Sequence, residues 1–317
     1  MSLSGVLRFG AVVAGGSAVV YFGKTLVSSD GLAEKIEMKE DGVPVFVPKN
    51  VNDFIREVME EMELSDEVID LLKTITIENI DLEHFGTSKC KPGAYLMVPY
   101  TYFTESQKMT GLNLTPILKM YQVPEDSPEI ENLKTLLYTP VNARKFKIAN
   151  EIYKSNDSMY FVLGFLPILS AALTALTLYV FKSSNVKFMK TQPRLVASAS
   201  VFSYILLYFV LYRYVQKVRV YNADFETLKL GPNYIDGALQ YFQQVIHRNK
   251  LIKKLNKRAP VNDDPDSVPL FSFTEFVPIS ERVELYRNKK DGVNDFVEAP
   301  NPYLYAFKKL FSHVEEN

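Results

Sequence analysis

Residues 158–181 read SMYFVLGFLPILSAALTALTLYVF, 24 consecutive positions without a charge between Asp157 and Lys182. Roughly 20 apolar residues suffice to cross a bilayer as a helix, so this stretch predicts a transmembrane span. A second uncharged run of 18 residues, 195–212, lies between Arg194 and Arg213, and the 13 residues separating the runs carry Lys182, Lys187, Lys190 and Arg194. The two runs predict a helical hairpin. Hydrocarbon offers the backbone no partner, so both runs should be helical despite their Thr and Tyr content. Pro167 should kink the first by removing one helix hydrogen bond. Tyr160, Phe161, Tyr179 and Phe181 stand at its ends, as interfacial aromatic belts do. Gly164, Ser170, Ala171 and Thr174 offer a small-residue face for close helix contact, either with another protein or with the second span.

Working outward, the 317 residues are 47% hydrophobic with a formal net charge of -1 and a single cysteine, Cys90. That length allows one large or two ordinary domains. Neither a disordered chain nor a nucleic-acid-binding one has this balance, and one thiol excludes an intramolecular disulfide framework. Residues 1–27 contain no acid and an apolar, Gly- and Ala-rich core between Arg8 and Lys24. A cleaved secretory signal, a mitochondrial targeting segment and an uncleaved anchor all share these features; an anchor with mitochondrial targeting fits best. Gly15 and Gly16 lack the strand, Lys and Ser/Thr of a phosphate loop.

Residues 28–157 form a first polar lobe. A short strand is expected at 43–47, then a helix capped by Asn50 with Phe54, Val58 and Met62 on one face, and a buried strand from Tyr95 to Val98 after the turn at Lys91. Glu57, Glu60, Glu61 and Glu63 read as a solvated face. Residues 116–121 and 130–137 are weaker elements. From Pro140 a helix should run through Phe146 and Ile152 and on into the hairpin. Residues 213–317 form a second polar lobe with an amphipathic helix through Ala238, Phe242 and Ile246 and a strand candidate at 270–277. A hairpin returns the chain to the side it left, so the lobes can share one core. Arg248, Lys250, Lys253, Lys254, Lys257 and Arg258 cluster near the end of the amphipathic helix. They either favour its C-terminus and solubility or contact anionic lipid headgroups. The fold class expected is thus an α+β membrane protein, with a transmembrane hairpin, an N-terminal anchor and mostly helical lobes carrying a few short strands.

Four pieces of sequence carry a resemblance: Pro92-Gly-Ala-Tyr-Leu-Met-Val-Pro, Ala149-Asn-Glu-Ile-Tyr-Lys-Ser before the hairpin, and Tyr234-Ile-Asp-Gly-Ala-Leu-Gln-Tyr-Phe and Asn249-Lys-Leu-Ile-Lys-Lys-Leu after it. With weaker matches at Pro269-Leu-Phe and Pro278-Ile-Ser-Glu-Arg, their order and spacing resemble the transmembrane protein 177 family over most of the chain. That resemblance implies a multi-pass protein of the mitochondrial inner membrane. It also implies a role in cytochrome c oxidase biogenesis, with newly made subunit II, its membrane chaperone and copper-delivery factors as partners.

The layout also resembles HtpX-type membrane zinc metallopeptidases, which place a His-Glu-x-x-His helix before a membrane hairpin and a Glu-x-x-Ala-Asp helix after it. Here the first motif reads Asn150, Glu151, Ile152, Tyr153, Lys154 and the second Val220, Tyr221, Asn222, Ala223, Asp224. Asn150, Lys154 and Val220 stand where that family has its zinc ligands, and they cannot replace two imidazoles and a carboxylate at neutral pH. Glu151 without metal-bound water has no nucleophile to activate. Spacing pairs Lys154 with Glu151 instead. His84, His247 and His313 fall in no ligand motif and read as surface or hydrogen-bonded histidines.

The expectation is a non-enzymatic scaffold, a pseudo-metallopeptidase without metal or cofactor, whose hairpin contacts the spans of a new subunit. Two alternatives remain: a membrane-bound hydrolase with an unrecognised site, and a cardiolipin-interacting structural protein that uses Lys250, Lys253, Lys254 and Lys257. Lys and Arg are nearly balanced across the hairpin, so the charge bias leaves its orientation open.

Overall fold

The computed structural model describes residues 29–104, 114–125, 127–183, 193–259, 261–268, 276–292 and 305. The N-terminal anchor expected at 1–27 lies outside them, as do most of the loop between the apolar runs and most of the strand candidate at 270–277; Phe276 and Val277 are not in a strand. In order come α1 (Ser29–Ile36), β1 (Lys39–Glu40), β2 (Val43–Pro44), α2 (Lys49–Glu61), α3 (Asp66–Asp70), β3 (Leu72–Ile77), β4 (Glu83–Gly86) and β5 (Ala94–Pro99), which leads into a 3-10 turn, Tyr100–Phe103. Then follow α4 (Thr115–Met120), α5 (Ile130–Leu137), α6 (Val141–Ser155), α7 (Met159–Ser183), α8 (Pro193–Lys229), α9 (Pro232–Leu255) and α10 (Ile279–Lys290). The protein is therefore mixed, mostly helical with a few short strands.

Its contacts divide the chain into two units. Ser158–Val218 belongs to one, and Ser29–Asp157 with Arg219–Tyr305 to the other. Helices α7 and α8, the latter in the smaller unit only as far as Val218, are long and apolar enough to cross a membrane, over Met159–Thr177 and Ser198–Lys229. Only 33% and 11% of their most apolar windows are buried. Leu163 and Leu166 of α7 pack with Val215, Tyr208 and Leu211 of α8. Val162, Phe165, Ile168, Leu173 and Leu176, with Phe202, Ile205 and Leu206, stay exposed.

In the larger unit a three-stranded sheet runs β3-β5-β4, with β5 parallel to β3 and antiparallel to β4. The alternation along β5 decides what covers each face. Tyr95, with Ile75 and Ile77 of β3, meets Ala33 of α1; Leu96 and Val98 meet Ile55 and Val58 of α2 and Ile148 and Ile152 of α6. A further cluster joins Ile117 of α4, Leu133 and Leu137 of α5 and Ile252 of α9. Two glycines permit close approaches. A Cβ on Gly237 of α9 would lie 2.1 Å from the Asn142 carbonyl oxygen of α6, and one on Gly93, at φ 78°, would lie 2.2 Å from that of Leu71.

Several local expectations are corrected. The helix after Pro140 does not run on into the hairpin. It ends at Ser155, whose carbonyl accepts hydrogen bonds from the Thr87 hydroxyl (2.8 Å) and the Ser88 N–H (3.2 Å) instead of continuing the helical ladder. The helix that carries the second apolar run is longer than the run itself: α8 continues through Arg213, Lys217 and Arg219, and the break waits for Gly231 at φ 108°. Asn50 is not the cap of α2. Pro48 precedes that helix, Asn50 lies inside it, and Met62 falls just past its end. The strand at 43–47 shrinks to Val43–Pro44, because Pro44 and Pro48 limit the available donors.

Candidate functional site: a buried charged centre

Helix α6 is buried on nearly every side, so its polar residues lie inside the protein. Lys147, Asn150, Glu151 and Ser155 are all buried. A carboxylate there costs several kcal/mol unless its partners come with it. The Glu151 Oε1 atom accepts from Lys147 Nζ at 2.6 Å, one turn back, and from Lys154 Nζ at 2.9 Å, one turn on. Its Oε2 lies 2.7 Å from His84 Nδ1 on β4. Burial alone would raise the Glu151 carboxyl, but the two lysines and the His84 bond hold it well below the usual carboxylate range. Burial also disfavours charge on both lysines. Attraction to Glu151 and Asp81 more than restores Lys147, whereas Lys154, repelled by Lys147 and Arg282, is drawn down to about 8.

His84 completes this half. Burial lowers its basicity despite the Glu151 bond, so the ring is neutral at pH 7. A neutral ring that donates from Nδ1 to Glu151 presents Nε2 as an acceptor, and Arg219 Nη2 lies 3.4 Å from it while donating to the Lys154 carbonyl at 2.8 Å.

The second half forms around Asp224 of α8. Its carboxylate accepts from Asn150 Nδ2 at 2.9 Å, from Arg282 Nε and Nη2 at 2.7 and 2.6 Å, and from the Tyr286 hydroxyl at 3.2 Å. Arg282 also donates to Asn150 Oδ1 at 3.3 Å and lies 4.6 Å over the Phe242 ring. Asp81 is similarly held by a bidentate bond from Arg248 of α9, at 3.0 and 2.7 Å, and by the Tyr241 hydroxyl. Glu151, Asp224 and Asp81 thus each have their own cation or pair of cations.

The two degenerate motifs are brought together directly, by the Asn150–Asp224 bond. Val220, one turn earlier on α8, is half-buried. The zinc that the peptidase resemblance implies does not fit these residues. Position 150 offers an amide already bonded to Asp224, position 154 an ammonium bonded to Glu151, and position 220 an alkyl group. Among the described residues no three His, Cys, Asp or Glu side chains converge as a ligand set.

Other sequence candidates fall elsewhere. Gly164 and Ser170 are buried inside the smaller unit, with Ala171 and Thr174 half-buried, so larger side chains form its open faces. The basic cluster on α9 is not one surface. Arg248 is internal, Lys253 donates to the Ala259 carbonyl at 2.8 Å, Lys254 reaches Glu129 at 3.2 Å, and Lys250 and Lys257 are exposed. The acidic face of α2 is only partly solvated, since Glu57 and Glu61 meet Lys145 at 2.8 and 2.5 Å. His247 is exposed, and His313 lies outside the described residues. Sequence reasoning did not find His84, Asp81, Arg219, Arg282 or Tyr286. The Lys147–Glu151 spacing of one turn was the only local signal for any of the centre's further residues.

Comparison of the chain with family models, with curated proteins and with solved structures finds no match to any of them.

Proposed function

We propose that this chain is an integral scaffold of the mitochondrial inner membrane. It stabilises newly synthesised cytochrome c oxidase subunit II, together with its membrane chaperone and copper-delivery factors. The observation that carries the scaffold reading is the state of Glu151: its oxygens are occupied by Lys147, Lys154 and His84. A general base must be able to take a proton from a bound nucleophile, and a carboxylate neutralised by two ammonium groups and bonded to His84 lacks the basicity for it. The centre therefore serves to hold α6, β4 and α8 together and leaves a pseudo-metallopeptidase without hydrolytic work.

The apolar faces of α7 and α8 support membrane insertion, with lipid and the spans of a client as their neighbours. The identity of the client rests on the resemblance of the four sequence pieces, which flank the hairpin in the order and spacing of the transmembrane protein 177 family. Affinity purification of tagged protein from mild-detergent mitochondrial extracts, with mitochondrial translation products pulse-labelled, tests both parts. Recovery of labelled subunit II with copper-delivery factors is expected. A tagged protein found outside mitochondria, or recovered without subunit II, would overturn the assignment.

A further inference from the structure

Among the described residues the most exposed large apolar side chain is not on the spanning helices. It is Phe46, at 78%, with Val43 at 62% just before it and Ile36 at the end of α1 also exposed. Outside α7 and α8 the other exposed large apolar side chains are Met120 and Val141, each alone in its stretch of sequence. Single exposed apolar residues are ordinary, whereas a group of them marks a contact surface. The group sits on a fixed ribbon. Asp41 and Gly42, at φ 51° and 81°, close a two-residue turn between β1 and β2. The Val45 N–H donates to the Met38 carbonyl at 2.9 Å, which brings Phe46 back toward the end of α1. The Met38 N–H donates to the Thr76 carbonyl of β3 at 2.8 Å, and Asp30 of α1 accepts from Lys73 at 3.1 Å and from the Tyr95 hydroxyl. Both α1 and the ribbon are thus held on the sheet while Phe46 is kept out of the core.

Connectivity and charge decide what the ribbon meets. Helix α1 begins at Ser29, directly after the acid-free apolar stretch that ends at Val27. Eight helical residues cover only about 12 Å, and the headgroup layer of one leaflet is about 5–8 Å deep. A ribbon joined through α1 to a stretch that enters a bilayer therefore stands near its surface. The exposed charges beside the group balance, Lys35, Lys39 and Lys49 against Glu34, Glu40 and Asp41. They provide no steering toward anionic lipid, and apolar contact is left as the drive. We infer that the β1–β2 ribbon is a membrane-contact surface, with Val43 and Phe46, and Ile36 beside them, seated in the interfacial layer of the bilayer. The inference rests on the reading of α7 and α8 as membrane spans and adds to it a lipid-binding surface on the larger unit.

The test uses the full chain in phosphatidylcholine nanodiscs, and because the sequence contains no tryptophan a single introduced one reports alone. Phe46→Trp probes the ribbon and Phe165→Trp probes α7; both replace exposed aromatic side chains, so neither disturbs a core. Lipid brominated near the headgroup end of its acyl chains should quench the Phe46→Trp probe at least about twofold more than lipid brominated near the bilayer centre, as a side chain about 5–10 Å into the interface requires. Adding Val43→Asp to that chain should reduce the quenching at least about twofold, since a carboxylate resists entry into the interface. Quenching unchanged by Val43→Asp, or seen only with anionic lipid, would overturn the inference. So would an unquenched probe at position 46 beside a quenched one at 165, whether iodide then reached the probe or another protein surface shielded it; the membrane reading would stand. An unquenched probe at 165 would remove both.

Discussion

A buried carboxylate with two lysines distributes its cost unequally, and single substitutions read that out. Glu151→Gln leaves Lys147 and Lys154 facing each other without an acid and should cost about 3–5 kcal/mol of stability, measured by denaturant unfolding in detergent. Lys147→Met should be clearly destabilising and Lys154→Met much less so, because Lys147 is charged with gain and Lys154 against a penalty. The pH dependence has a definite sign. The unfolded chain keeps the Lys154 proton up to about 10.5, the usual lysine value, whereas the folded chain releases it near 8. Between those values the unfolded state binds more protons, so this group makes stability rise with pH, and the rise should vanish in Lys154→Met. His84 acts on the acid side. Its folded basicity is lowered, so its contribution is complete above about pH 6.5 and declines as the pH falls below that value. His84→Gln should flatten that decline in the unfolding midpoint. Glu151 and Lys154 were legible as a pair from their spacing, but His84 and Arg282 were not, since β4 and α10 reach α6 only through tertiary contact.

Among the elements, burial and close backbone approach decide more than propensity does. The central strand was readable from hydrophobic pattern and flanking turn and proline, whereas 116–121 and 130–137 were readable only as elements, which the structure makes the short helices 115–120 and 130–137. The end of α6 was not, because the groups that take its last carbonyl belong to Thr87 and Ser88, far away in sequence. The length of α8 was hidden for a related reason: charges at Arg213, Lys217 and Arg219 mark the end of an apolar run, which is not the end of a helix. Gly93 and Gly237, inside the resemblance motifs, have a physical role at this level. Gly237→Ala drives a methyl into the Asn142 carbonyl and should cost at least about 1–3 kcal/mol, separating α9 from α6. Gly31→Ala, with nothing near its Cβ, is the control and should leave the melting temperature essentially unchanged. Equal melting temperatures for the two variants would contradict the proposed packing.

At the level of the whole molecule, the hairpin reading came from two uncharged runs, and the structure returns two helices of spanning length with exposed apolar faces. The protein should accordingly stay in the membrane pellet after alkaline carbonate extraction, and Phe165→Asp with Ile205→Asp should move it toward the soluble fraction. What composition and spacing could not convey is that a few charged residues of the larger unit are turned inward, with the buried acids Glu151 and Asp224 matched to cations of the same chain. That matching is the central claim, and metal content tests it most directly. The full chain, purified in mild detergent, exposed to excess zinc and desalted, should retain well below one zinc per chain, because Lys154 and Arg282 already occupy the acids that would bind it. One zinc per chain, lost on Glu151→Gln or Asp224→Asn, would contradict the account.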